Sequence, residues 1–105
     1  MFDKNIHMAK PLSVVIKKSD KAGKKMMATF KMDNGRSRTT HFGAAGMDDY
    51  TKTKDKAQKS RYLKRHRQNE RWNDPTSAGA LSRWILWNLP TKSASITAFK
   101  KRFNL

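Results

Sequence analysis

Residues 61–90 read RYLKRHRQNERWNDPTSAGALSRWILWNLP, and the rest of the chain is most easily understood from this stretch. A basic run leads into an apolar segment, and all three tryptophans of the chain lie here: Trp72, Trp84 and Trp87. Asp74 and Pro75 predict a helix start, because an aspartate can accept hydrogen bonds from the free N–H groups of a first turn and proline needs no N–H there. We expect this helix to continue to Asn88, before Pro90 ends it.

The predicted tryptophan helix has one apolar face, formed by residues three and four apart: Ala78, Leu81 and Ile85. Trp84 and Trp87 widen this face, so we expect both to belong to the core. Trp72 lies in a polar connector. For this residue the sequence leaves two readings open, a core position or a platform on which an unpaired base stacks.

Three strands are predicted upstream, over residues 12–18, 25–32 and 37–42. In the first strand apolar and polar residues alternate, which places three side chains on one face: Leu12, Val14 and Ile16. The second strand has a longer alternating set: Met26, Ala28, Phe30 and Met32. Asn34-Gly35 between the second and third strands is typical of a tight hairpin turn.

Two further helices are predicted. One runs from Lys54 to Asn69 with Thr53 as its cap, after a polar connector over residues 47–53. The other follows Pro90, is capped by Thr91 or Ser93, and has an apolar face of three residues: Ile96, Phe99 and Phe103. The predicted fold class is therefore α+β: a three-stranded antiparallel meander followed by two to three helices packed on it.

Length and composition limit the possible classes of protein. A chain of 105 residues suits one domain, which we place at residues 11–105 behind a flexible arm at residues 1–10. The absence of cysteine excludes disulfides and cysteine-based zinc sites. No apolar run is long enough to span a bilayer. Anionic lipid is a less favoured partner for the charge than nucleic acid or acidic protein, and we expect no membrane partner.

The net charge of +16, with an isoelectric point near 10.6, is the strongest functional signal. Such an excess favours an anionic partner, because unneutralised like charges destabilise a compact domain. The candidate binding residues fall in two groups, the predicted basic helix with its flank and the end of the chain: Lys54, Lys56, Lys59, Arg61, Lys64, Arg65, Arg67, Arg71, Lys100, Lys101 and Arg102. The simpler reading is a solvated helix face. However, Asp55 and Glu70 are the only acids near the first group, so pairing along the helix does not explain it.

No residue pattern predicts catalysis. The histidines are far apart in sequence, which argues against a metal site: His7, His41 and His66. The Gly43–Gly46 turn lacks the lysine and serine or threonine of a phosphate-binding P-loop and is interpreted as a structural corner. We therefore predict no enzyme, no cofactor and no small-molecule substrate.

Several motifs resemble those of a known family: HFGAAG at residues 41–46 with Asp49-Tyr50, RYLKRHRQNE at 61–70, and WNDPTSAGALSRWILWN at 72–88. The resemblance, over about residues 40–103, is to small basic proteins of unknown function encoded by large double-stranded DNA viruses of the giant-virus and phycodnavirus type. It implies a viral origin and a place in the virion, or in the cytoplasm or nucleus of an infected host cell. It supplies no catalytic residues.

These observations lead to two functional hypotheses. The first is a non-catalytic viral protein that binds nucleic acid, DNA rather than RNA, through phosphate contacts with little sequence specificity. The second is a minor capsid or cement protein that bridges acidic surfaces of larger capsid proteins.

Overall fold

A computed structural model describes residues 9–105; residues 1–8, which make up most of the predicted arm, lie outside the described residues. The α+β prediction is confirmed: an antiparallel sheet in the order β1-β2-β3 is followed by helices packed on one of its faces. The strands are β1 (Pro11–Lys18), β2 (Lys24–Met32) and β3 (Ser37–Ala44). The helices are α1 (Tyr50–Thr53), α2 (Lys56–His66), α3 (Ala78–Leu81), a π-helix (Ser82–Leu86) that continues α3, and α4 (Lys92–Phe103).

The central strand β2 supplies the predicted core face. Its alternating apolar residues are all buried, as expected: Met26, Ala28, Phe30 and Met32. The turn to β3 is the predicted tight one. Gly35 has a φ of 84°, and the side chain of Asn34 accepts a hydrogen bond from the backbone N–H of Arg36 at 3.0 Å.

The prediction for β1 is wrong at Leu12. Val14 is buried and Ile16 packs partly against the core, but 56% of Leu12 is exposed. The pairing with β2 shifts register between Pro11 and Ser13, so Leu12 is the extra residue of a bulge. Alternation of apolar residues cannot reveal such a shift.

The tryptophan helix starts later than predicted. Asp74 does not cap it; its side chain accepts hydrogen bonds from the backbone N–H and hydroxyl of Thr76 in the preceding turn. Ser77 is the N-cap and accepts from the backbone N–H of Ala80 at 3.1 Å. Thr40 in β3 ties this turn to the sheet by donating to the carbonyl of Thr76 at 2.7 Å.

The same helix also ends earlier, at Leu86 instead of Asn88, and its second half is a π-helix. The bond from the N–H of Trp87 to the carbonyl of Ser82, 3.1 Å long, spans five residues instead of four. The last helix, α4, is capped by Thr91, one of the two predicted residues.

The predicted basic helix is shorter and is preceded by a helix that the sequence analysis placed in a connector. Asp49 caps α1 by accepting from the N–H groups of Thr51 and Lys52. Lys54 ends α1 in the left-handed region with a φ of 57°, so it cannot belong to α2. Asp55 caps α2, replacing the predicted Thr53, and α2 ends at His66.

The core lies between the sheet and the helices. Its fully buried large side chains come from β2, β3, the α3/π-helix segment and α4: Phe30, Phe42, Leu81, Ile85, Leu86 and Phe99. Trp87 is buried as predicted, and Trp84 packs against the core from the edge. Ile96 and Phe103 flank Phe99 on the predicted face of α4.

Candidate nucleic-acid interface and the adjoining cleft

The outward side of α2 carries a fan of exposed cations: Lys56, Arg61, Lys64, Arg65 and Arg67, the last as its C-cap. At about 100° per residue these side chains cover roughly half of the helix circumference, over a length of about 16 Å. The opposite side contains the buried Tyr62 and the half-buried Leu63 and His66. The narrow apolar stripe explains why α2 docks on one side and leaves its charge in solvent.

The exposed cations of α2 have no acidic partners within residues 9–105. The ion pairs of that region are Lys25–Asp49, Lys52–Asp48 and His66–Glu70. Asp55, the acid nearest in sequence, accepts the backbone N–H groups of Ala57 and Gln58 as the helix cap. The predicted excess of unpaired charge is therefore present on the folded chain.

Lys59 differs from its neighbours because it is half-buried. Its ammonium donates to the carbonyl of Asn88 at 2.6 Å and lies 4.9 Å from the ring centre of Tyr50. Burial lowers the pKa of Lys59, and the positive charges of Arg83 and Lys56 lower it further. Lys59 thus fastens α2 to the end of the π-helix, where a cation interacts well with free carbonyls.

One of the predicted cations at the end of α4, Arg102, lies on the ring of Trp84 beside Arg83. Arg83 lies 4.1 Å and Arg102 3.7 Å from the ring centre of Trp84. Burial lowers the pKa of Arg83, and so does the nearby charge of Arg102. Arg83 also lies close enough to Lys59 to lower its pKa, so positive groups follow one another from the docked side of α2 to Arg102 of α4.

The tryptophans are engaged in internal contacts. Trp84 has two guanidinium groups over its ring and donates its indole N–H to the carbonyl of Trp72 at 2.9 Å. Trp72 is half-buried with Arg83 5.3 Å from its ring centre, and its own indole nitrogen is buried without a hydrogen-bond partner in the described region. Of the two readings for Trp72, these contacts favour the packed one over a free stacking platform.

The remaining predicted site residues are dispersed. Lys54 is exposed and donates to the carbonyl of Thr51 at 2.8 Å, and Arg71 is exposed in the loop after α2. Lys100 is half-buried and Lys101 is exposed on α4. Arg83, which links the two groups, was not predicted; the one available signal was a cation inside an otherwise apolar segment.

Two rings of α2 and one from the end of the π-helix form a stack on the inner side of α2. Tyr62 stacks on Trp87 with 4.2 Å between ring centres and 5° between planes, and on His66 with 4.2 Å and 26°. His66 Nδ1 lies 3.2 Å from Glu70 Oε1. Burial raises the pKa of Tyr62 to about 12, with a smaller contribution from the negative charge of Glu70.

This stack forms a wall of an open cleft of about 430 Å³ between the end of β3, α2 and the α3/π-helix segment. Apolar side chains form its inner surface: Phe42, Leu86 and Trp87. Its charged lining comes from both signs: Lys24, Lys25, Asp48, Asp49, Arg65 and Glu70.

A buried ion pair closes one end of the cleft. Only 2% of Asp49 is exposed, and its Oδ2 lies 2.5 Å from the ammonium of Lys25, which also donates to the carbonyl of Met47. Burial raises the pKa of the Asp49 carboxyl, but Lys25 and the hydrogen bonds from Thr51 outweigh this, so the pKa lies below its ordinary value. The pair joins β2 to the start of α1.

Residues 9–105 contain neither a metal-binding cluster nor a membrane-spanning helix. No group of three or more histidines or acids is arranged to hold a metal ion there. In the same part of the chain no helix has the length and apolar content needed to cross a bilayer.

Fold and surface together define a small, strongly basic α+β domain with a cationic helix beside a cleft. Residues 14–66, 53 of the 105 in the chain, match the family described as "Family of unknown function (DUF5754)", and the chain belongs to this family. The match runs from within β1 to the end of α2. Neither a curated protein nor a solved structure matches the chain.

Proposed function

We propose that this protein is a non-catalytic viral protein that binds double-stranded nucleic acid, DNA in particular, through its phosphates and with little sequence preference. It would act in the virion or in the infected cell, as the resemblance to proteins of large DNA viruses implies. The observation that carries the proposal is the fan of exposed cations on α2 that lack acidic partners.

The dimensions of α2 suit a phosphate backbone. Successive phosphates of one DNA strand are roughly 3.4 Å apart along the helix axis, so the length of α2 corresponds to about five of them. Arginine can donate two parallel hydrogen bonds to one phosphate, and lysine adds a mobile charge. Phosphate contacts carry no sequence information directly, hence the expected low specificity.

The cations of α4 extend the proposed surface. Arg102, held on Trp84 beside Arg83, brings positive charge close to α2, and Lys101 is exposed next to it. The contacts made by the tryptophans argue for duplex phosphates as the main contact, since single-strand platforms need aromatic faces that are free to stack bases.

The test is a comparison of two variants with the same net charge. Arg61→Glu/Lys64→Glu reverses two exposed positions in the middle of the fan, whereas Lys17→Glu/Lys31→Glu reverses two exposed positions on the sheet face away from the helices. Binding of a short DNA duplex is followed by fluorescence anisotropy as a function of salt concentration. Five phosphate contacts predict a log–log slope of about −4.5 for the unmodified protein.

We expect the α2 variant to bind at least about tenfold more weakly, with a slope shallower by about 2. The sheet variant should change much less. Equal losses in the two variants would mean that only the overall charge matters, and no binding at about 50 mM salt would refute the proposal. Retention of the protein by capsid shells emptied of their genome would instead favour the cement hypothesis.

A further inference from the structure

We infer that the cleft beside α2 binds a nucleobase that carries a phosphate, either as a free mononucleotide or as an unpaired nucleotide at the end of a strand. This site adjoins the phosphate-binding surface of α2 and shares Arg65 with it. It uses residues that the proposed function leaves unexplained, among them Tyr62, His66 and Glu70.

The aromatic wall is suited to a flat ring. Trp87, Tyr62 and His66 are stacked in that order, and His66 is the outermost ring, with 37% of its side chain exposed. Glu70 holds the ring through Nδ1, and within residues 9–105 no further ring stacks on it. A base can therefore extend the stack by one layer, as in aromatic recognition of unpaired bases.

The charged side chains that line the cleft balance in number, with Lys24, Lys25 and Arg65 facing Asp48, Asp49 and Glu70. The three acids are engaged: Asp49 pairs with Lys25, Asp48 pairs with Lys52 outside the lining, and Glu70 Oε1 lies 3.2 Å from His66 Nδ1. Two other lining residues, Lys24 and Arg65, are exposed and form no ion pair within the described region. An arginine and a lysine at the mouth of an apolar cleft are suited to a phosphate group.

The size and lining of the cleft agree with such a ligand. Its volume of about 430 Å³ lies within the range of roughly 300–1,000 Å³ that is usual for small-ligand sites. Apolar side chains form its inner surface, as is usual for these sites, and the charged residues provide polar contacts around it.

Gly79 preserves the position of Glu70. A Cβ at residue 79 would lie 2.1 Å from Glu70 Oε2, so any side chain there would displace the carboxylate. The carboxylate in turn positions His66. The orientation of the outermost ring thus depends on a glycine that lies in another helix.

The experiment is a titration of the isotope-labelled full chain by ¹H–¹⁵N correlation NMR, with AMP, adenosine or inorganic phosphate as ligands. We expect saturable AMP shifts at the amides of Gly43, His66 and Gly79, and at least about fivefold weaker binding of adenosine and of phosphate alone. A duplex with a single-stranded overhang should shift the same amides more than a blunt duplex if the ligand is a strand end. AMP shifts confined to the exposed side of α2 would overturn the inference.

Two variants test the location of the ligand. Ala78→Phe adds a side chain at an exposed residue that lines the cleft, and should abolish AMP binding while duplex binding persists. Lys24→Ala, at an exposed residue of β2, should weaken AMP binding by about five- to tenfold, with Lys17→Ala as the control. Unchanged AMP binding in both variants would refute the cleft site. If the unmodified chain binds AMP in the cleft but does not bind a duplex, only the proposed function is refuted.

Discussion

Replacing Lys25 by methionine should destabilise the protein strongly at neutral pH. The substitution keeps about the length of the aliphatic stem but leaves the Asp49 carboxylate, only 2% exposed, without its ammonium partner. Breaking a buried ion pair from one side typically costs about 3–5 kcal/mol. Asp49 would keep its hydrogen bonds from Thr51 and Lys52, so we expect a loss near the lower limit, about 3 kcal/mol.

The loss should depend on pH in a defined direction. In the unmodified protein the folded-state pKa of Asp49 is below its ordinary value, so its contribution to the unfolding free energy is full at neutral pH and disappears as the pH falls below about 4. Without Lys25, burial is less opposed and the pKa rises. Protonation of Asp49 then removes the buried charge from the variant. The difference in unfolding free energy between the variant and the unmodified protein should therefore become smaller on acidification.

Urea denaturation followed by circular dichroism, at several pH values from neutral to below about 4, measures both the loss at neutral pH and its change with pH. Lys52→Met is the matched control, because the Lys52–Asp48 pair is 3.7 Å long and more than half of each side chain is exposed. Such a pair contributes at most about 1 kcal/mol. The assigned role of the buried pair would be refuted if the free energy of unfolding of Lys25→Met were within about 1 kcal/mol of that of the unmodified protein. It would also be refuted if the difference in unfolding free energy stayed constant on acidification.

Two further substitutions test packing, each with its own control. Gly43→Ala should lower the unfolding free energy in urea by about 2–4 kcal/mol, because φ is 79° and the new Cβ would lie 2.7 Å from a leucine side chain of the π-helix. Gly46→Ala, with a φ of 83° and no heavy atom within 4 Å, should cost only about 1 kcal/mol, and equal losses would contradict the steric explanation. Arg102→Ala should uncover one face of Trp84, shift the tryptophan fluorescence to the red and lower the free energy of unfolding by about 1 kcal/mol. Lys101→Ala is the control and should change neither the fluorescence nor the stability. Identical spectra for the two variants would contradict the cation–π contact.

The sheet was predictable because its signals are local. Alternation from Met26 to Met32 and the Asn34-Gly35 turn specify two adjacent strands and their connection without information from elsewhere in the chain. The bulge at Leu12 was not predictable, since it is a property of the pairing between two strands. The late start of the tryptophan helix was also not predictable, because Asp74 and Ser77 can both act as caps; Asp74 accepts from Thr76 in the turn, and Ser77 accepts from Ala80 in the helix.

For the candidate site, the sequence predicted which residues carry positive charge but not how the fold arranges them. Helical spacing places Lys59 three and four residues before Tyr62 and Leu63, on the docked side of α2, but its contacts with Asn88 and Tyr50 lie far away in the sequence and are seen only in the structure. The cleft was not predicted at all. It is assembled from β2, β3, α2 and the α3/π-helix segment, so no single stretch contains its pattern.

The π-helix gives the segment between Ser82 and Trp87 one residue more than a regular α-helical turn holds. Deleting one residue there would turn the bond between the Trp87 N–H and the Ser82 carbonyl into a regular bond across four residues, so Trp87 would keep its place on Tyr62. The change would fall on the residues in between, which include the core residues Ile85 and Leu86. Homologous chains that lack one residue in this segment should therefore keep the ring stack and pack the core beneath it differently.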